Sequence, residues 1–181
     1  MTRYHPLLVA LHWILALMVI VGLVMGGRVL AQTANTDPAK LFSLRMHMSL
    51  GMVIGVLTLI RLGTRLFTTK PPHADIGNAT LNKLGQAAHW GLYALVFGMV
   101  ASGIGISLMA GLPDIVFGGS GAPLPADFSA FPPRAAHGLL ATLLGLTILG
   151  HVGAALYHQF VRRDGLLSRM WFDKRSGGGN A

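Results

Sequence analysis

Histidines are the residues of this chain whose type and spacing could do chemistry. The sequence contains eight histidines and no cysteine. The lack of cysteine excludes disulfides, iron–sulfur clusters, thiolate zinc sites and covalent c-type haem attachment. Histidine therefore remains as the soft ligand for a metal.

The spacing of two histidines near the C-terminus is informative. His137 and His151 are separated by 14 residues. In a helix this spacing corresponds to a rise of roughly 21 Å and a rotation of only about 40° from the same face. One helix would therefore present two imidazoles along one stripe at two depths, and His158 would continue that stripe.

Four apolar stretches supply helices of the required length: Leu7–Leu30, Leu44–Leu66, Leu84–Met109 and Arg134–Phe160. Each exceeds the ~20 residues that cross a hydrocarbon core. Each must be helical, because lipid offers no hydrogen-bond partner to open backbone. The charged share is 11%, about half that of a soluble domain. The sequence predicts an all-α integral membrane four-helix bundle in a single domain (1–181), with a basic cytoplasmic tail (162–181).

The distribution of lysine and arginine predicts the orientation of the bundle. Four lie at the first loop, the third loop and the adjoining helix ends: Arg28, Lys40, Arg45 and Arg134. The other ten lie at the N-terminus, in or beside the second loop and in the tail: Arg3, Arg61, Arg65, Lys70, Lys83, Arg162, Arg163, Arg169, Lys174 and Arg175. The positive-inside rule then predicts that both termini are cytoplasmic. Because the basic residues flank apolar runs and form no single polar face, nucleic acid is excluded as a partner.

The histidines inside the four stretches fall at two depths. We call the first the outer level, formed by His47 and His137. The second is the inner level, formed by His12, His89 and His151. A haem iron takes two axial ligands, which should come from facing helices at one depth. The sequence therefore predicts two b-type haems. A single four-histidine zinc site would need all its ligands at one depth.

The ligand assignment is simple at the outer level and open at the inner one. Only His47 and His137 are available at the outer level. At the inner level His12 matches the depth of His151 best, and His89 competes with it. For any single histidine, the alternative is a plain hydrogen bond to a neighbouring helix.

Other residues beside these histidines fit a bound haem. Gly51 follows His47 by one helical turn and would allow a flat macrocycle to approach the backbone. Arg45 lies two residues before His47 and is the best candidate to bind a haem propionate, because arginine binds carboxylates in a bidentate way. The remaining arginines at span ends are expected to reach the membrane surface and set topology.

The sequence resembles the bacterial cytochrome b561 family of four-helix, di-haem membrane proteins. The matching segments lie on all four helices: ALHWILAL, MHMSLGMVIGVLTLIRLGTRL, LGQAAHWGLYAL and GLTILGHVGAALYHQFVRRDGLLSRM. The arrangement of histidines and arginines in them is fairly specific, whereas the apolar residues between are not. The outer loop Gly111–Pro133 departs from the family, so an outer substrate site carries over poorly.

The resemblance implies roles for six histidines. It places haem ligands at four positions: His12, His47, His137 and His151. In one type within the family, further histidines matching His89 and His158 line a ubiquinone pocket on the cytoplasmic side. That type oxidises superoxide at the outer face and reduces ubiquinone.

The expected function is a quinone-linked oxidoreductase of the bacterial inner membrane with two haem b groups. Superoxide would be attracted by Lys40, Arg45 and Arg134 at the outer face. One alternative is an electron relay from quinol to a periplasmic redox protein, or the haem subunit of a larger dehydrogenase. Another is a haem-free transporter or anchor subunit.

Overall fold

The computed structural model describes residues 3–69, 71–72 and 77–172. The protein is all-α, and its four long helices are α1 (Pro6–Val24), α2 (Pro38–Phe67), α3 (Ala79–Met109) and α4 (Pro132–Tyr157). Each of the four, with its terminal turns, is long and apolar enough to cross a membrane. The predicted four-helix membrane architecture is confirmed. The side on which the termini lie stays a prediction, and His73, Lys70, Lys174 and Arg175 lie outside the described residues.

Capping residues decide where the helices begin. The side chain of Asp37 accepts a hydrogen bond from the backbone N–H of Ala39, and Asn78 does the same for Thr80. Pro38 stands at the first position of α2. Asparagine and aspartate caps and an N-terminal proline are strong helix starts. As a result α2 and α3 begin ahead of their apolar stretches.

Short irregular helices extend or connect the four spans. A π-helical turn, Met25–Leu30, continues α1, and another, His158–Arg162, continues α4. The third loop contains only the π-helical turn Pro113–Phe117 and the 3-10 turn Phe128–Ala130. No fifth long helix forms within this loop, as its repeated prolines predict.

The helices pack as neighbours in a bundle, chiefly α1 on α2, α3 on α4 and α2 on α3. At the outer end Leu44 of α2 is buried with Leu112 and Val116 of the third loop. This small core holds the loop against the bundle. Large apolar side chains such as Leu17 and Leu149 are exposed on the outside, as expected of a surface that faces lipid.

The first part of the tail folds back onto the inner end of the bundle. It contains the 3-10 turn Leu167–Met170. Trp13 Nε1 donates to the carbonyl of Met170 at 2.8 Å. Arg169 Nη1 donates to the carbonyl of Pro72 in the second loop at 2.9 Å. The tail thus joins α1 to the loop between α2 and α3.

Candidate functional site

The spacing that relates His137 to His151 on α4 recurs on the other three helices. The matching pairs, each 14 residues apart, are His12 and Gly26, His47 and Arg61, and His89 and Gly103. Two contacts support this alignment. A Cβ added to Gly26 would lie 3.4 Å from Cε1 of His47, and one added to Gly103 would lie 3.4 Å from Cε1 of His137. Each helix therefore contributes one residue to each level.

The outer level brings His47 and His137 together as predicted. Their ring centroids are 6.3 Å apart and their planes are inclined by 77°. Two imidazole nitrogens that bind one metal from opposite sides, each about 2.0 Å away, hold their ring centroids roughly 6 Å apart. The pair therefore has the separation that two axial ligands of one haem require.

A serine on α3 orients one of these rings. Ser102 Oγ donates to the carbonyl of Met99 at 3.1 Å and lies 2.9 Å from Nδ1 of His137. If the hydroxyl accepts from His137 Nδ1–H, Nε2 keeps its lone pair for a metal. Sequence reasoning missed Ser102, since one serine in an apolar helix carries no distinctive signal.

A cavity of about 2020 Å³ opens between the helices at the outer level. His47, His137, Gly51 and Gly145 line it. A Cβ on Gly51 or Gly145 would meet nothing within 4 Å. The other ring nitrogen of His47, Nδ1, is buried and has no hydrogen-bond partner. The donor set and the space beside the backbone fit a flat macrocycle with a metal at its centre.

The inner level contains three histidines, as predicted, and their separations differ. The centroid of His151 lies 6.2 Å from that of His12 and 5.4 Å from that of His89. The first distance equals the separation of a pair that shares a metal, whereas the second is too short. His89 Nδ1 lies 2.7 Å from the carbonyl of Gly85 on its own helix. The geometry favours His12 over His89 as the partner of His151.

Two arginines of α2 lie at the inner end of the bundle against α3. Arg61 donates to the hydroxyl of Tyr93 and lies over its ring, 5.3 Å from the centroid. Arg65 lies over Trp90 at 5.6 Å. Arg61 is close enough to act electrostatically on His12. Sequence reasoning assigned both arginines to the membrane surface and missed these contacts.

Three cations are predicted to attract superoxide, and two of them, Lys40 and Arg45, donate hydrogen bonds to backbone carbonyls. Lys40 is buried, with 5% of its surface exposed, and its Nζ donates to the carbonyls of Leu30 and Thr33. Arg45 donates through Nε at 3.0 Å and Nη2 at 2.6 Å to the carbonyl of Val116. Lys40 therefore caps backbone carbonyls at and just after the end of the turn that continues α1. Arg45 links the third loop to α2.

The third of these cations, Arg134, lines the outer cavity beside His137. Its Nη1 would lie 3.3 Å from a Cβ on Gly138, the residue that follows His137. Of Lys40, Arg45 and Arg134, only Arg134 has a charged group that makes no hydrogen bond to another described residue.

His158 lies at the inner end of the bundle in a pair with an aspartate. Its Nδ1 is 2.5 Å from Oδ2 of Asp164, and Arg162 Nε is 3.4 Å from the same oxygen. Burial raises the pKa of Asp164, but the hydrogen bonds from His158, the Leu166 N–H and Arg162 outweigh it and hold the pKa below its usual value. The resemblance marks His158 as a candidate quinone-site residue, but the sequence does not indicate that Asp164 contacts it.

Comparison with known sequences decides the family. The family described as "Prokaryotic cytochrome b561" matches residues 3–173 of the chain. The chain belongs to this family. It is therefore a multi-pass bacterial membrane protein of electron transfer, and the family implies that haem b is its cofactor. The predicted family is confirmed.

Curated relatives of the chain are distant but match along nearly its full length. "Probable superoxide oxidase CybB" of Yersinia pestis is 28% identical over 178 residues, which are 96% of this chain and 98% of the relative. "Cytochrome b562" of Cereibacter sphaeroides is 29% identical over 171 residues, 92% of this chain and 94% of the relative. "Cytochrome b561 homolog 2" of Escherichia coli is 27% identical over 175 residues, with 93% and 90% covered.

Proposed function

We propose that the protein is a di-haem cytochrome of the bacterial inner membrane that oxidises superoxide at its periplasmic face and reduces ubiquinone at its cytoplasmic face. The observation that carries the proposal is the presence of two histidine pairs with centroid separations of 6.3 Å and 6.2 Å. The pairs lie at levels roughly 21 Å apart along the helices. The relative named a superoxide oxidase supports the choice of substrate.

In this proposal the histidine pairs hold the cofactors in place. His47 and His137 would bind the outer haem, and His12 and His151 the inner one. Bound haem supplies reversible one-electron transfer, while the protein supplies position and electrostatic field. Ser102, 2.9 Å from Nδ1 of His137, would hold the tautomer that leaves Nε2 free to bind the metal.

His158 and His89 are proposed to serve the quinone at the inner end. Quinone carbonyls accept hydrogen bonds, and reduction to quinol takes a pair of electrons and a pair of protons. Each superoxide supplies one electron and leaves as oxygen. Asp164 holds Nδ1 of His158, so the opposite ring nitrogen is presented in a defined direction. Histidine exchanges protons near neutral pH and suits this step.

At the outer end Arg134 is the best placed of the three predicted cations to attract a small anion. It lines the same cavity as His47 and His137. Lys40 and Arg45 would contribute their charge to the field at longer range.

A second function is favoured by the engagement of Lys40 and Arg45 with backbone carbonyls. Cations fixed in this way serve structure, so the outer face is less adapted to a free anion. The protein would then pass quinol electrons to a periplasmic redox protein, or act as the haem subunit of a larger dehydrogenase.

Stopped-flow reduction of the purified, oxidised full chain by superoxide separates the two functions. The proposal expects fast reduction that slows with Arg134→Gln and with added salt, because salt shortens the Debye length below ~10 Å. Arg28→Gln, at an exposed arginine beyond the cavity, is the matched control and should change nothing. If superoxide fails to reduce the wild-type protein, the relay function takes its place.

A further inference from the structure

Three buried side-chain nitrogens of the described residues have no hydrogen-bond partner: His47 Nδ1, Arg61 Nε and Arg65 Nε. The first belongs to a candidate haem ligand. The other two belong to arginines one helical turn apart on α2, inside a segment that crosses the membrane. Buried polar groups are nearly always satisfied, so these two Nε atoms point to a ligand.

The two arginines lack an anionic partner in the described part of the chain. The sequence has six acidic residues, all of them aspartates outside the four apolar stretches. The salt bridges that join two described residues all involve Asp164, which follows the turn that continues α4. Like charges four residues apart on a helix repel each other, and an unpaired buried charge is strongly unfavourable. Aromatic faces offset only part of this cost.

The position of the arginines indicates which anion binds there. Arg61 follows His47 by 14 residues and so occupies the inner level on nearly the same face of α2. It acts electrostatically on both His12 and His151. Arg65 lies one turn, about 5–6 Å, further toward the inner end of the bundle. The pair therefore supplies two cations, one at the level of the inner histidines and one a turn beyond it.

We propose that Arg61 and Arg65 bind the carboxylates of the inner haem. The inference rests on the proposed function, which puts a haem at the inner level. Haem b has two propionate side chains, and the planar guanidinium group binds carboxylates through paired hydrogen bonds. Tyr93 and Trp90 position the two groups by stacking on them. Arg45, the propionate partner expected from sequence beside His47 at the outer level, donates instead to the carbonyl of Val116.

The test compares purified full-length variants Arg61→Gln, Arg65→Gln and the double variant with wild type. Haem per chain and the midpoint potential of each haem are measured. The double variant should bind the inner haem about tenfold more weakly. Any inner haem that remains should have a lower midpoint potential, because two positive charges no longer stabilise the reduced state. The outer haem should keep its spectrum, which also reports that the bundle is folded.

Two further variants separate charge from contact. The double variant Arg61→Lys, Arg65→Lys keeps the charge but loses the planar fork, so the potential should be largely retained while haem binding weakens. Tyr93→Phe keeps the ring under Arg61 and removes only the hydroxyl, so its effect should be smaller. Arg28→Gln again serves as the control and should match wild type.

The same oxyanion chemistry could come from a phospholipid headgroup, and reconstitution distinguishes the sources. Full-length protein made in haem-limited cells is loaded with haem b or with its dimethyl ester. The wild type should bind the ester more weakly at the inner level, and the double variant should bind both alike. Variants that keep both haems with unchanged potentials but lose co-purified anionic lipid would overturn the arginine assignment alone. One haem per wild-type chain would overturn the proposed function as well.

Discussion

The outer and inner levels of the bundle use the same helix positions with different side chains. The outer level consists of two histidines and two glycines: His47, His137, Gly26 and Gly103. The inner level consists of three histidines and an arginine: His12, His89, His151 and Arg61. At the outer level each glycine lies against the ring of a histidine. Two helices therefore contribute imidazoles, and the other two contribute glycines that leave space beside them.

This difference indicates that the two levels have different tasks. A level with only two imidazoles backed by glycine can hold a cofactor and do little else. A level with a third imidazole and unpaired positive charge can also bind anions and exchange protons. The inner level therefore has a third imidazole and a cationic side chain that the outer level lacks.

The largest effect should come from removing an outer ligand. His137→Ala should abolish the outer haem, because the level has no third histidine to replace it, and should leave the inner haem bound. Haem per chain, measured as the pyridine haemochrome, should fall from two to one. Leu149→Ala, on the same helix at an exposed residue that does not line the outer cavity, is the control. Loss of both haems, or of neither, would contradict the independence of the two levels.

A smaller effect is expected at the inner level, where a spare imidazole is present. His12→Ala should weaken the inner haem without removing it entirely, because His89 lies 5.4 Å from His151 and could move to the metal. His89→Ala should leave the inner haem in place. Low-temperature spectra of the two variants check this. The reverse result would mean that His89 and His151 are the ligands.

The open space beside the outer histidines gives a third test. Gly51→Leu should reduce the content of the outer haem severalfold, because the side chain would fill the cavity that Gly51 lines. Gly63 has equally open surroundings on α2 but does not line that cavity. Gly63→Leu should therefore keep normal haem content. Equal losses in both variants would trace the effect to helix packing.

The smallest expected effect concerns the aspartate beside His158. Asp164→Asn should slow quinone reduction severalfold with both haems retained, because His158 loses its charged partner. The pKa of Asp164 lies below its usual value. The wild-type contact should therefore persist at neutral pH and weaken only as the pH falls through that lowered pKa. Turnover and KM for a soluble quinone are measured against pH, with Asp127→Asn, at the outer loop, as control.

Much of the fold and part of the site could be predicted from single residues and their spacing. The length of the apolar stretches predicted the four helices, since the thickness of the bilayer fixes how many residues a helix needs to span it. Depth along each helix gave the pairing of His47 with His137. Depth could not decide between His12 and His89, because helix rise says nothing about which helices face each other across the bundle.

The sequence by itself determined the number of helices and the two levels of histidines, because these follow from apolar length and from the rise of a helix per residue. Only the tertiary structure decided which side chains contact each other. Lys40 and Arg45 contact backbone carbonyls, Ser102 contacts His137, Asp164 contacts His158, and Arg61 and Arg65 each have a buried Nε without a hydrogen-bond partner. These contacts join residues from different helices and loops, and their existence depends on how the helices rotate and pack, which spacing along one helix does not specify.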